Sequence, residues 1–253
     1  MPHKRNSALI GAGAALAVTL LVWAGMALRD NRLEAALMRA DPDRIPAVPP
    51  LSQLAVSLAK PAYRAHCARC HGADLQGNPE LGAAKLTGSP RLYGSGKVSD
   101  FERTIAYGIR SGAPKAWNLA DMPAFGRAPD PATVHKVPPL SPSEIDDLTD
   151  YVLSLGRKPA DPDATLRGRA LFADKGQCFD CHSGDGKGDS AIGAPDLTDD
   201  VWLYGDGSRD AIIQSISRGR HGTCPAWENR LSPATIRALS VYIYTRSHPR
   251  DPS

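Results

Sequence analysis

Cys178-Phe179-Asp180-Cys181-His182 decides the reading of this chain, together with its twin Cys67-Ala68-Arg69-Cys70-His71. Two cysteines three positions apart, with a histidine directly after the second, form the attachment pattern of c-type haem. Each thiol adds across one porphyrin vinyl group, and the next residue then lies under the iron, where its imidazole can coordinate it. A zinc ribbon would set its two pairs roughly 15–20 residues apart, whereas 107 residues separate Cys70 from Cys178. A thioredoxin-like dithiol needs no histidine after its second cysteine, yet both pairs carry one. With five Cys and seven His in 253 residues, chance does not place this pattern twice. Two covalently bound haem c groups are the expected cofactors.

The twins belong to a longer repeat. An offset of 111 residues carries Cys67, Cys70 and His71 onto Cys178, Cys181 and His182, and Asp74 and Gly77 onto Asp185 and Gly188. Gly82-Ala83, Leu86-Thr87, Leu92-Tyr93-Gly94 and Gly108 meet Gly193-Ala194, Leu197-Thr198, Leu203-Tyr204-Gly205 and Gly219 without a gap. Beyond that point the lengths drift, although Met122-Pro-Ala-Phe125 still matches Cys224-Pro-Ala-Trp227 and Leu140-Ser-Pro-Ser matches Leu231-Ser-Pro-Ala. Each copy reads as helical. Helices over Ala55–His66 and Leu166–Gly176 lead into the motifs, and Asp100–Gly108 and Ser208–Gly219 carry apolar residues at helical spacing. Ser141-Pro142-Ser143-Glu144 and Ser232-Pro233 open the closing helices with Ser before Pro at the first helical position.

Ahead of the repeat, Ala8 to Leu28 runs 21 residues without a charge. That length spans a bilayer, and Lys4 and Arg5 set the N-terminus in the cytoplasm. A cleaved signal peptide competes with this, but its apolar region normally runs 7–15 residues, so an uncleaved anchor is expected. The haem-bearing part then lies in the periplasm, in keeping with thioether attachment outside the cytoplasm. Asp41-Pro42, Pro46, Pro49 and Pro50 read as a stiff spacer. The net charge of +3, from 30 Lys+Arg against 27 Asp+Glu, leaves no nucleic-acid footprint. The expected fold is all-α: two tandem class I cytochrome c domains behind an N-terminal transmembrane helix. The ranges are anchor 1–29, spacer 30–51, first domain 52–156, linker 157–163 and second domain 164–253.

His71 and His182 are the proximal ligands by motif. A sixth ligand normally comes from a loop, most often a methionine, which raises the potential. Met122 is the methionine available beyond Met1, Met26 and Met38, and it is read as the partner of the first haem. The second copy has no methionine; Cys224 stands at the aligned position. Three readings stay open there: a thiolate ligand lowering the potential of the second haem, ligation by His221, or a five-coordinate iron beside a buried thiol. A proximal histidine normally donates its other ring N–H to a carbonyl, and the loops at Ala84 and Gly193-Ala194-Pro195 are placed to supply one. Arg110, Arg218 and Arg220 lie near the ligand loops as candidate partners of haem propionates. No acid–base pair or substrate pocket is discernible, so no catalytic residue is assigned.

Trp202-Leu-Tyr-Gly205, Gly219-Arg220, Pro225-Ala226-Trp227 and Leu231-Ser-Pro-Ala-Thr-Ile236-Arg-Ala-Leu239 resemble the second domain of the dihaem subunit, CcoP or FixP, of cbb3-type cytochrome c oxidases. Gly108-Ile109-Arg110-Ser111-Gly112 and Met122-Pro-Ala-Phe-Gly126 resemble its first, so the likeness runs from about Ser52 to Ser247. The resemblance implies a subunit anchored in the bacterial inner membrane, taking electrons from a soluble cytochrome or a quinol-oxidising complex and passing them toward an oxidase core. Two features depart from the family: it carries a methionine where Cys224 stands, and a longer tryptophan-rich stretch around the membrane helix. Pairing a His/Cys haem with a His/Met haem also resembles thiosulfate-oxidising dihaem enzymes, with Arg218, Arg220 and Arg230 as anion-binding candidates. A haem redox sensor is the third alternative.

Overall fold

The computed structural model describes residues 25, 28, 31–88, 92–129 and 137–248. The expected anchor thus lies outside the described residues apart from Gly25 and Leu28, and no helix among the described residues is long and apolar enough to cross a membrane. Helices dominate, and β structure among the described residues is limited to isolated bridges. In order they are α1 (31–39), a 3-10 turn Pro42–Ala47, α2 (Pro49–His66), α3 (Ala68–His71), α4 (Val98–Tyr107), α5 (Pro142–Leu155), α6 (Pro162–Ala173), α7 (Phe179–His182), α8 (Arg209–Arg218) and α9 (Pro233–Ser247).

Local chemistry starts these helices where the residues ask for it. Ser141 Oγ accepts from Glu144 N while Glu144 accepts from Ser141 N, a closed capping box ahead of Pro142. Asp161, Ser208 and Ser232 cap α6, α8 and α9 through their side chains.

The packing crosses between the two copies. One core holds Ala55, Ala59 and Tyr63 of α2 and Val98 and Ile105 of α4 against Ile236, Ala238, Leu239, Val241, Tyr242 and Ile243 of α9. The other holds Ile145, Leu148, Tyr151 and Val152 of α5 against Phe172 of α6 and Ile212 and Ile216 of α8. The closing helix of each copy therefore completes the core of the other. The linker supplies a physical reason: α5 ends at Leu155 and α6 begins at Pro162, and so short a connection folds the two helices back on each other as an antiparallel hairpin. Gly168 allows a close crossing, since a Cβ there would lie 2.0 Å from Asp147 O. With α5 and α6 engaged, α2 and α9 are left to pair.

The segment read as a spacer is part of the first core. Leu37 and Ile45 are fully buried there, Arg237 of α9 donates to Leu37 O and Ala40 O, and Asp43 accepts from Ser99 N and Oγ. Apolar side chains between the prolines, rather than proline stiffness, decide where this stretch goes.

Candidate functional site

Both motifs sit at the ends of helices that deliver them into a core. α2 runs to His66, and α3 carries Cys70 and His71; α6 leads by one turn into α7, which carries Cys181 and His182. His71 Nδ1 lies 2.8 Å from Ala84 O and His182 Nδ1 lies 3.0 Å from Pro195 O. A carbonyl only accepts, so Nδ1 carries the proton and the Nε2 lone pair is left for a metal. Burial pushes the pKa of both imidazoles down, against the opposing pull of those carbonyls, and keeps them neutral. Burial also raises the thiols, Cys67 to about 11 and Cys178 to about 12.

The loops bring the remaining candidates to the opposite motif. Met122 lines one cleft with Cys178, Cys181, His182 and Pro195. Its backbone pairs with Arg220 in an antiparallel bridge, N to O at 3.2 Å and the reverse at 3.0 Å. Cys224 pairs in the same manner with Ile109, at 3.0 and 2.9 Å. Its thiol is raised to about 11 by burial and by the neighbouring Cys70, and the Cys67 thiol responds to Cys224 in turn. Met122, read from the sequence with the first motif, thus lies at the second, and Cys224 lies at the first. His221, the alternative ligand, is exposed, with Nδ1 2.8 Å from Asp121 Oδ2, and it does not line the cleft.

A repeated lock holds the crossing in place. Tyr204 packs on Gly82 and Tyr93 packs on Gly193, so closely that a Cβ on either glycine would lie 2.1 Å from the ring. Gly94 N donates to Ser190 O, and Gly205 N donates to Pro79 O. Each contact of one copy recurs in the other, as a two-fold relation requires.

The second cleft fits a c-type haem. Two thiols and a neutral imidazole stand at one side and a thioether lines the same space, with Phe125, Leu148, Val152, Phe172, Ile212 and Ile216 as apolar wall. The Trp202 ring lines the same cleft, while its buried Nε1 lies against Gly207, outside the cleft lining, without a hydrogen-bond partner among the described residues. Sequence reasoning found these residues by motif and by alignment of the copies; it missed the crossing, because a repeat shows which residues are equivalent and not which ones meet.

Comparison with known proteins agrees with this chemistry. Residues 163–243 match the family model "Cytochrome C oxidase, cbb3-type, subunit III", and residues 56–156 match "Cytochrome c". The cbb3-type cytochrome c oxidase subunit FixP of Azorhizobium caulinodans is 40 % identical over 198 residues, covering 78 % of this chain and 61 % of the relative. FixP of Rhizobium meliloti is 32 % identical over 245 residues, covering 97 % and 78 %. CcoP of Cereibacter sphaeroides is 33 % identical over 208 residues, covering 82 % and 67 %. The chain therefore spans between about three fifths and four fifths of the length of these relatives. It binds haem c covalently, through two motifs of cytochrome c type. Its sequence along most of its length, its paired haem motifs and its helical fold make it a member of the FixP/CcoP family of cbb3-type cytochrome c oxidase subunits.

Proposed function

We propose that this chain is a membrane-anchored, periplasmic electron relay of a cbb3-type oxidase, in which the sixth ligands are exchanged: His71 with Cys224 at the first haem, His182 with Met122 at the second. The observation that carries this reading is Met122 in one cleft with His182, while Cys224 neighbours Cys67 and Cys70. The relatives' names support an oxidase partner and do not favour the thiosulfate-oxidising or sensor alternatives. The donor is a soluble cytochrome or a quinol-oxidising complex, and the acceptor is the oxidase core.

When bound, haem supplies a one-electron ferric/ferrous couple whose potential its axial ligands set. Met122, a neutral thioether, favours the ferrous form and makes the second site the higher in potential. Cys224, although held as a thiol by burial, loses its proton on coordinating a metal, and its thiolate favours the ferric form at the first site. With haem held at both motifs, the Met122 site would carry the higher-potential couple and would be the one to hand electrons on toward the oxidase.

The test is electron paramagnetic resonance and redox titration of the full chain in which Cys178→Ala and Cys181→Ala leave haem at the first motif only. A low-potential, thiolate-type ferric signal is expected. A high-potential, methionine-type signal overturns the exchange.

A further inference from the structure

Arg110 belongs to the first copy but lines the cleft of the second. It is half-buried, and its guanidinium donates through Nε to Gly222 O at 2.7 Å and through Nη1 to Ala120 O at 2.9 Å and Tyr93 Oη at 3.1 Å. All three acceptors are neutral. No carboxylate pairs with Arg110 among the described residues, and its Nη2 takes no part in these bonds. Its backbone sits in the left-handed region at φ +48°, a conformation a non-glycine residue adopts at a cost.

Arg220 lines the same cleft in the same condition. It donates to Ser215 Oγ and Gln214 Oε1 and lies over the Tyr204 ring, and burial pushes its pKa down. Of the acids on the cleft wall, Asp121 faces His221, Asp196 accepts from Thr198 and Lys187, and Asp180 is exposed; none forms an ion pair with Arg110 or Arg220 among the described residues. A cleft with apolar walls that collects two half-buried guanidinium groups without a carboxylate partner is short of an anion. The haem attached at Cys178 and Cys181 brings two carboxylates on one edge.

We infer that Arg110 reaches across from the first copy to hold a propionate carboxylate of the haem at the second. Three neutral acceptors fix the guanidinium plane, and Nη2 is left to meet the carboxylate in a charge-assisted hydrogen bond. The pairing cancels a negative charge next to the second iron and so favours its ferrous form. The inference rests on haem attachment at the second motif and on the relay reading only for its purpose. Arg110 is a positioning residue, and because Ile109 pairs with Cys224, one dipeptide joins the ligand strand of the first site to the edge of the second.

The experiment is a redox titration of the two-haem full chain with Arg110→Gln and with Arg110→Lys, the second-site wave being assigned in the Cys67→Ala, Cys70→Ala background. Arg110→Gln is expected to lower the ferrous-to-ferric ratio at the second site about tenfold at a given potential, about 59 mV for one electron. Arg110→Lys, which keeps the charge, is expected to stay within about threefold of the native protein. A drop of less than threefold in the Gln variant, or an equal drop in both variants, overturns the inference. If the Gln variant retains only one haem, the Lys variant is expected to retain both, and a Lys variant that also retains only one overturns the inference. Failure of the relay reading would show separately, as unsplit potentials in the native titration.

Discussion

Gly108 and Gly219 occupy equivalent places in the repeat, with φ of +76° and +69°. A Cβ on Gly108 would lie 2.3 Å from Cys224 O, and one on Gly219 would lie 2.4 Å from Met122 O. Each glycine therefore lets the ligand strand of the other copy come close. Gly219→Ala is expected to cost about 1–3 kcal/mol through backbone strain, and the displaced strand should take Met122 away from the second haem. Gly108→Ala should act on Cys224 and leave Met122 in place. Ferric spectra and denaturant unfolding of the two variants check this, and loss of the methionine signature in Gly108→Ala would contradict the exchanged pairing. At this scale the sequence is informative about identity: the thiols and histidines by spacing, the carbonyls of Ala84 and Pro195 by their loops, Met122 and Cys224 by alignment. It is silent about partnership, since the two copies are alike enough that either loop fits either motif.

Helix α9 carries the clearest consequence for an element. Leu239 is fully buried in the core that contains α2 and the first motif's Cys67 and Ala68, although α9 is the last helix of the second copy. Leu239→Ala is expected to destabilise by about 2–5 kcal/mol and to broaden the first haem's signal ahead of the second's; urea unfolding followed at each haem band distinguishes the two. At α5, Glu144 is held at a pKa of about 2, first by its bond to Lys175 and then by the Ser141 cap. A lowered carboxylate pKa adds stability above its ordinary value of 4.5 and loses it as pH falls toward 2. Glu144→Gln should therefore flatten the acid limb of the stability curve between those values, as thermal melts across that range would show. Helix positions and caps were legible because they depend on local residues. The burial of Leu37 and Ile45 was not, because prolines signal where a helix stops and not what the next side chains touch.

At the scale of the molecule, neither copy holds a complete core. A chain cut within linker 157–163 is expected to stay together as a stoichiometric pair with both haems, held by α5 on α6, α2 on α9 and the two Tyr–Gly locks. Gel filtration of a variant with a protease site in the linker tests this, and separation into two six-coordinate single-haem fragments would contradict it. The sequence showed two units by their repeat; the exchange escaped it because only linker length bears on which closing helix goes where, and a short linker is also compatible with two units side by side.

The paired Tyr–Gly contacts carry a historical consequence. Tyr93 on Gly193 and Tyr204 on Gly82 are a single contact written twice, as happens when one surface meets a copy of itself. A gene encoding one repeat would close this geometry only by associating with its own product and trading closing helices. Duplication and fusion of such a self-pairing ancestor would leave one polypeptide whose two halves are still each other's subunits. Substitution at a ligand position, such as cysteine for methionine at 224, would then have turned two identical electron carriers into a directional pair.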